Sequence, residues 1–222
     1  MKFENTQVMN FEGALRGMRN PLESWAKSDS KIAWDYGDMP YYSIGPNDMD
    51  LAKRLIAGGG EHRKFMRQIF VSVDITAPLY WWKEFDTYKV GTTANSTSTM
   101  HKLASKPITK ECFEMGDFED VVIEGVENDE LSFVYTTGMF VEEIIKTLEQ
   151  LRQKYNETKD KRYWKELVRL LPNGWLQTRT VTMNYENLRN MYHQRDHHKL
   201  TEWHSFCDWV KTLPYAQEFI ID

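Results

Sequence analysis

Three polar residues near the C-terminus fall where a helix would be expected to bury apolar side chains. Counted at about 100° per residue from Asn184 onward, one stripe of the helical surface collects Leu188, Met191, Tyr192, Trp203, Phe206, Trp209 and Val210. Asn184, Arg195 and Glu202 fall inside the same stripe. Because an unpaired buried charge is strongly destabilising, Arg195 needs an anionic partner or a ligand at this position.

The residues alone leave two interpretations of Arg195 open. In the first, Arg195 forms an internal ion pair with Glu202, which lies two helical turns along the stripe. In the second, Arg195 forms an anion site, and phosphate is the favoured anion because its oxygens match the paired donors of a guanidinium group.

Histidine, cysteine and glycine patterns give weaker signals. His193 and His197 lie one helical turn apart, but no H-E-x-x-H pattern accompanies them, so no metal site is predicted. Cys112 and Cys207 lack an activating partner nearby in the sequence and are interpreted as packing residues. The run Gly58–Gly60 lacks the frame of a phosphate loop and is interpreted as a turn.

The elements that must position these residues are a mixture of strands and helices. Alternating apolar residues predict a strand that begins at Ile69 and ends at Pro78, followed by an aromatic helix from Leu79 to Tyr88. Helical spacing predicts three further helices: Val141–Tyr155, Tyr163–Leu171 and, as one long helix, Asn184–Val210. No repeat or linker divides the chain, so a single domain covering residues 1–222 is expected.

The composition is that of an ordinary globular protein, with 41% apolar and 27% charged residues among 222. The net charge of −5 argues against binding to a nucleic acid polymer. Aromatic residues, at 14%, suit a ligand cleft or a subunit interface. No signal peptide and no run long enough to cross a membrane is visible, so a cytoplasmic location without membrane association is expected.

Two blocks of the sequence resemble motifs of the flavin-dependent thymidylate synthases. In the C-terminal block, Leu171-Pro172 is followed at the family's spacing by Asn184, Leu188, Asn190 and Arg195. In the upstream block, the strand ending at Pro78 and its aromatic helix lead into a segment in which Asn95 and Ser98 match the family. Glu61-His62 is similar to the Glu-His pair that precedes the family's flavin-site strand. The resemblance spans about residues 55–210.

This resemblance implies an α/β (α+β) fold made of an antiparallel sheet with long helices, assembled as a homotetramer. It implies that reduced FAD, with FMN as the alternative flavin, transfers a methylene group from methylenetetrahydrofolate to dUMP and then delivers hydride. NADPH would regenerate the reduced flavin, and the partner would be a dUMP-like nucleotide. In such an enzyme the protein binds and orients the cofactor, which carries the chemistry.

The resemblance also implies roles for individual residues. Arg195 would be the catalytic residue and would bind the pyrimidine of the nucleotide, while Ser98 would face the nucleotide phosphate. The cofactor would be bound by His62, Lys89, Asn95, Asn184 and Asn190. The aromatic helix containing Trp81 and Trp82 would either pack in the core or stack on the flavin.

The sequence departs from the family in its arginines. Tyr88, Lys89 and Val90 occupy the positions of the family's Arg-His-Arg triplet, Ser96 stands in place of a Glu, and Met100 in place of a second Arg. These departures support two alternatives. The chain is a divergent nucleotide- or flavin-binding homologue without thymidylate synthase activity, or it is a structural or interaction protein that retains the fold.

Overall fold

The computed structural model describes residues 1–34, 40–128 and 131–222. In this part, the chain divides into two compact units. The first comprises Met1–Ile75, Glu84–Asn95 and Arg179–Asp222, and the second comprises Thr76–Lys83 and Ser96–Thr178. The single domain expected for residues 1–222 stays a prediction.

Strands and helices alternate along the described chain. The strands are β1 Lys2–Met9, β2 Lys31–Trp34, β3 Pro40–Ser43, β4 Phe70–Pro78, β5 Thr93–Ser96, β6 Val122–Asn128, β7 Leu131–Thr136 and β8 Leu176–Asn184. The helices are α1 Phe11–Met18, α2 Pro46–Ala57, α3 Leu79–Phe85, α4 Thr99–Lys102, α5 Thr137–Thr158, α6 Lys161–Arg169, α7 Tyr185–Arg195 and α8 Thr201–Lys211, followed by a short π-helical segment Gln217–Ile221.

A four-stranded sheet in the order β1-β4-β8-β5 supports the candidate site. Strand β4 confirms the predicted strand: Val71, Val73 and Ile75 are buried, while the residues between them are partly exposed. Two side-chain pairs, Asp74–Thr180 and Thr76–Thr178, link β4 to β8. From the first pair to the second, the residue number increases by two in β4 and decreases by two in β8, as it does between antiparallel strands.

Strand β8 was not expected from the sequence, although its pattern suits a strand. Its segment LQTRTVTMN is rich in β-branched residues and buries Gln177, Val181 and Met183. Two antiparallel hairpins complete the strands, one pairing Ile32 with Tyr42 and the other pairing Gly125 with Val134.

The expected single helix from Asn184 to Val210 is wrong, because the chain leaves helical geometry between α7 and α8. At this point the ring nitrogen Nδ1 of His198 accepts a hydrogen bond from the backbone N–H of Leu200 at 3.2 Å. A side chain that satisfies a nearby backbone donor competes with the helix for that donor. The buried stripe is confirmed on both helices: Leu188, Met191, Trp203, Phe206 and Val210 are all fully buried, Trp209 nearly so and Tyr192 only partly.

The second unit has an apolar core of its own, built from Leu103, Ile108, Phe113, Leu148 and Leu167. Helices α5 and α6 confirm the predicted helices. Helix α5 extends a few residues beyond both predicted ends, whereas α6 begins two residues before its predicted start and ends two residues before its predicted end. The first turn of α6 is capped by Asp160, whose carboxylate accepts the backbone N–H of Arg162 at 2.9 Å. The ring centres of Trp81 and Trp82 lie 4.9 Å apart in an edge-to-face arrangement, and both side chains are fully buried. This burial agrees with the interpretation in which the aromatic helix packs in the core.

In the described part of the chain, no helix combines the length and apolarity that a bilayer crossing requires.

Candidate functional site

The Arg195 side chain lies in a cage of aromatic and acidic groups in the first unit. Its Nε donates to the Tyr88 hydroxyl at 2.8 Å, and its Nη1 donates to Oε2 of Glu84 at 3.1 Å. The guanidinium carbon lies 4.8 Å from the ring centre of Trp203 and 5.6 Å from that of Tyr88. These contacts hold the guanidinium plane in one orientation through hydrogen bonds and cation–π attraction.

Glu84 is the acceptor on which this arrangement depends. Besides Arg195, its Oε2 receives the indole N–H of Trp203 at 2.9 Å and faces Nε2 of His198 at 3.4 Å. Trp203 is fully buried, while the side chains of Arg195 and Glu84 are 19% and 34% exposed. The five residues Glu84, Tyr88, Arg195, His198 and Trp203 are called the Arg195 cluster below.

The hydrogen bonds of His198 define its tautomer. Because Nδ1 accepts the N–H of Leu200, the ring proton of a neutral imidazole must lie on Nε2, which faces Glu84.

The structure answers the question that the apolar stripe raised about Arg195. Among the described residues, its ion pair is with Glu84, 111 residues upstream in the chain. The predicted pairing with Glu202 is wrong, although Glu202 is buried as the stripe required. Sequence analysis missed Glu84. The available signal was its position four residues before Tyr88, which places both on one side of a helical turn.

A second charged group lies at the start of α7. The carboxylate of Glu186 is buried and pairs with Arg63 at 3.1 Å and with Arg67. Burial alone would raise the pKa of this carboxyl group, but hydrogen bonds from Arg67 and Arg63 outweigh burial and lower the pKa below its ordinary value. The three residues Arg63, Arg67 and Glu186 are called the Glu186 cluster.

Arg189 adds a further positive charge near the Glu186 cluster. Its Nη1 donates to the backbone carbonyls of Phe219 and Ile220 at 3.3 and 3.1 Å. Burial lowers the pKa of Arg189, repulsion from Arg63 lowers it further, and the carboxylate of Asp222 partly offsets both. Arg63 and Arg67 share the buried Glu186 carboxylate, which leaves one positive charge that favours an added anion.

Asn184, a predicted cofactor-binding residue, caps the N-terminus of α7. Its side-chain oxygen accepts a hydrogen bond from the backbone N–H of Asn187 at 2.9 Å, and the side-chain oxygen of Asn187 accepts one from the backbone N–H of Asn184. Asn187 also donates to the carbonyl of Val90 at 2.8 Å, which fixes the loop beside Lys89. At Gly91, with φ of 77°, a Cβ atom would lie only 2.9 Å from Asn187 and 3.0 Å from Asn184.

The other predicted site residues lie at the surface or at its edge. His62, Lys89, Asn95 and Asn190 are exposed, and Asn190 is one turn of α7 beyond Glu186. Ser98, in the second unit, is partly exposed and caps α4 by accepting the N–H of His101 at 3.1 Å. The Gly58–Gly60 run before His62 is a turn, as expected. The roles of all these residues in binding stay predictions.

Two of the cavities formed by the described residues lie in the first unit. One, of about 460 Å³, is lined by residues that include Gly17, Ser24, Glu61, His62 and Gln68, so one predicted cofactor residue borders it. A larger cavity, of about 980 Å³, lies between α1, the β2–β3 hairpin and the segment after α8, and none of the predicted site residues lines it. Across the described ranges, no group of three or more His, Cys, Asp or Glu residues could hold a metal ion.

Comparison with known proteins identifies the fold. No family model matches the chain, and no curated protein matches it. Among solved structures, it is similar to the flavin-dependent thymidylate synthase ThyX from Helicobacter pylori complexed with FAD and dUMP, with a TM-score of 0.67 and 15% identity over 99% of this chain and 98% of that one. A second structure of ThyX from Helicobacter pylori with FAD and dUMP gives a TM-score of 0.66 and 15% identity over 100% and 98% of the two chains.

The chain has the fold of a flavin-dependent thymidylate synthase. The fold class that the resemblance implied, an antiparallel sheet with helices, is thereby confirmed. The thymidylate synthase fold runs through nearly the full length of both chains, so the similarity covers the Arg195 and Glu186 clusters.

Proposed function

We propose that this protein is a flavin-dependent enzyme of the thymidylate synthase type, which methylates dUMP to dTMP with methylenetetrahydrofolate and reduced FAD, and with NADPH as reductant. The observation that carries the proposal is the Arg195 cluster. A guanidinium group contacts two aromatic rings and is oriented by hydrogen bonds to Glu84 and Tyr88, at the position that the resemblance gives to the nucleotide-binding arginine. Such a group is already oriented before a ligand arrives, which lowers the entropic cost of binding.

Arg195 would bind the pyrimidine ring through its remaining N–H donors. Trp203 and Tyr88 fix the plane of the guanidinium, so its hydrogen bonds point in one direction. A donor fixed next to a ring carbonyl stabilises negative charge that develops on that oxygen in the transition state. Ser98 would bind the nucleotide phosphate through its hydroxyl group.

The residues around the Glu186 cluster fit FAD. A dinucleotide carries a diphosphate, and the cluster supplies two guanidinium groups against one carboxylate, with Arg189 close to Arg63. His62, Lys89, Asn95, Asn184 and Asn190 would bind the remainder of the cofactor, of which Asn184 would do so through the helix terminus that it caps. When bound, reduced flavin would supply the hydride for the reaction, and FMN is the alternative flavin.

A second candidate is a nucleotide- or flavin-binding homologue without synthase activity. The favouring observation is that Glu84 pairs directly with Arg195 and balances its charge. A balanced guanidinium stabilises a developing oxyanion less than an unpaired one does. Tyr88, Lys89 and Val90 in place of the Arg-His-Arg triplet point in the same direction.

We further propose that the protein is a cytoplasmic homotetramer. The aromatic content of 14% supports a large subunit interface, and specific interfaces bury roughly 1,200 Å² or more. Light scattering at micromolar concentration should give about four times the 26.3 kDa chain mass. A monomeric mass would remove the tetramer.

The function is tested in three steps on the purified chain. Flavin absorbance, or a rise in melting temperature on adding FAD or FMN, tests cofactor binding by linkage. Calorimetry with dUMP tests the nucleotide site. Formation of dTMP in the presence of FAD, NADPH and methylenetetrahydrofolate tests the reaction. Binding of flavin and dUMP without dTMP formation would support the second candidate, and binding of neither would indicate a structural protein that retains the fold.

A further inference from the structure

The Arg195 cluster carries no net charge. Arg195 contributes one positive charge and Glu84 one negative charge, while Tyr88 and Trp203 are neutral. His198 is also neutral as long as its Nδ1 accepts the N–H of Leu200. The positive charge that a nucleotide phosphate would seek is therefore already compensated.

Two hydrogen bonds of the cluster converge on one oxygen of the ion pair. Oε2 of Glu84 accepts from Arg195 and Trp203 and faces Nε2 of His198, whereas Oε1 of Glu84 and Nη2 of Arg195 have no hydrogen-bond partner among the described residues. Each of these two atoms is two covalent bonds away from the 3.1 Å contact between Nη1 and Oε2. A ligand group that reaches Nη2 therefore also comes close to the Glu84 carboxylate.

We propose that Glu84 determines the charge of the ligand group that Arg195 accepts: an uncharged acceptor such as a ring carbonyl is bound, and phosphate or carboxylate is rejected. The inference rests on the proposed function only in taking a nucleotide ring as the natural ligand. An anion at Nη2 is attracted by the guanidinium and repelled by the adjacent carboxylate, so the two effects largely cancel. A carbonyl oxygen has no net charge to be repelled and keeps its hydrogen bond.

An anion cannot readily displace Glu84 from the cluster. Withdrawal of the carboxylate would leave the indole N–H of Trp203, which belongs to a fully buried side chain, without this acceptor. It would also remove the acceptor that faces His198. Unpaired buried donors are costly, so the hydrogen bonds from Trp203 and Arg195 together hold Glu84 in place.

The Glu186 cluster provides the contrast within the same chain. There Arg63 and Arg67 share the Glu186 carboxylate, whereas among the described residues Arg195 is the one arginine that pairs with Glu84. The two clusters thus bind different ligand groups according to their charge. The Glu186 cluster has excess positive charge and accepts phosphate, whereas the Glu84–Arg195 pair is balanced in charge and accepts the neutral edge of a ring. This reverses the sequence-based hypothesis that Arg195 favours phosphate.

The first test is Glu84→Gln with inorganic phosphate as the probe, measured by calorimetry at fixed pH and ionic strength. Glutamine keeps an acceptor oxygen but removes the charge, so the variant should bind phosphate roughly tenfold tighter than the original chain. Glu143→Gln is the matched control because it makes the same charge change at an exposed residue whose ion pair, in the described part of the chain, is with Lys146. Adding Arg195→Gln to Glu84→Gln should abolish the gain.

The proposal is overturned if Glu84→Gln binds phosphate no better than the original chain, if Glu143→Gln gains equally, or if the gain survives the loss of Arg195. A second measurement does not depend on the Glu84 variant folding. Arg195→Gln alone should bind phosphate as well as the original chain does, and a clear loss would contradict the proposal. Failure of the proposed function would appear separately, as absent binding of dUMP and flavin to the original chain.

Discussion

Glu84 and Arg195 are 111 residues apart in the chain, yet Oε2 of one lies 3.1 Å from Nη1 of the other. Both belong to the first unit, and Trp203 contacts both, through its indole N–H to Glu84 and its ring face to Arg195. Trp203 therefore stabilises the ion pair by contacting both of its members, and substitution of any of the three residues should alter the contacts of the other two.

Arg195→Ala should lower dUMP affinity by about 2–3 kcal/mol, the scale of a lost hydrogen bond to a charged group. Its cost to the free energy of unfolding should be smaller, about 1–2 kcal/mol, because Glu84 keeps the indole N–H of Trp203 as a donor and is 34% exposed. Calorimetry and thermal melting of one variant measure both quantities. Arg162→Ala, at an exposed arginine, is the control. A large loss of stability with unchanged dUMP affinity would make Arg195 a structural residue.

Arg67→Gln should weaken FAD binding about tenfold, or about 1.4 kcal/mol, and leave riboflavin binding unchanged. The reason is that the Glu186 cluster offers its excess positive charge to the phosphates, which riboflavin lacks. Quenching of flavin fluorescence gives both affinities. Arg169→Gln removes a similarly exposed arginine from a pair with Glu166 and should change neither. Equal losses for FAD and riboflavin would show that Arg67 does not bind phosphate.

Gly91→Ala should reduce the free energy of unfolding by about 2–4 kcal/mol. The residue has φ of 77°, and its added Cβ would overlap Asn187 and Asn184. Gly59→Ala isolates the backbone contribution, because Gly59 has φ of 91° but nothing within 4 Å of the added atom. It should cost about 1–2 kcal/mol. Urea unfolding compares the two, and equal losses would mean that the contact with the helix cap is unimportant.

The second unit should lose stability in acid through Glu149. Hydrogen bonds from Arg152 above all, and from the backbone of Ile108, lower the pKa of Glu149 to about 2. A depressed pKa stabilises the folded state above the unfolded pKa near 4.5, and this stability is lost as pH falls from there towards about 2.

Between pH 5 and pH 2, the variant Glu149→Gln should therefore lose about 2–3 kcal/mol less unfolding free energy than the original chain. This value is reduced to allow for partial solvent exposure. Glu143→Gln, at an exposed residue, should leave the acid profile unchanged. Identical acid profiles for the original chain and Glu149→Gln would contradict the linkage.

Periodicity was sufficient for features that depend on which side chains are buried. The alternation in β4 predicted its buried face, and the stripe on α7 and α8 predicted the burial of Leu188, Trp203 and Phe206. Periodicity reports the face of an element but not the partner across the fold, so Glu84 could not be identified as the partner of Arg195. The pairing of Glu186 with Arg63 and Arg67 was missed for the same reason, since 123 and 119 residues separate them.

The interruption between α7 and α8 has a geometric consequence for Arg195. On a continuous helix, eight residues of rise would carry Trp203 about 12 Å along the axis from Arg195. Because the chain turns at His198 and Leu200, the indole ring instead comes to lie 4.8 Å from the guanidinium carbon. The turn between the two helices therefore lets a residue of α8, eight positions after the last residue of α7, fix the orientation of Arg195.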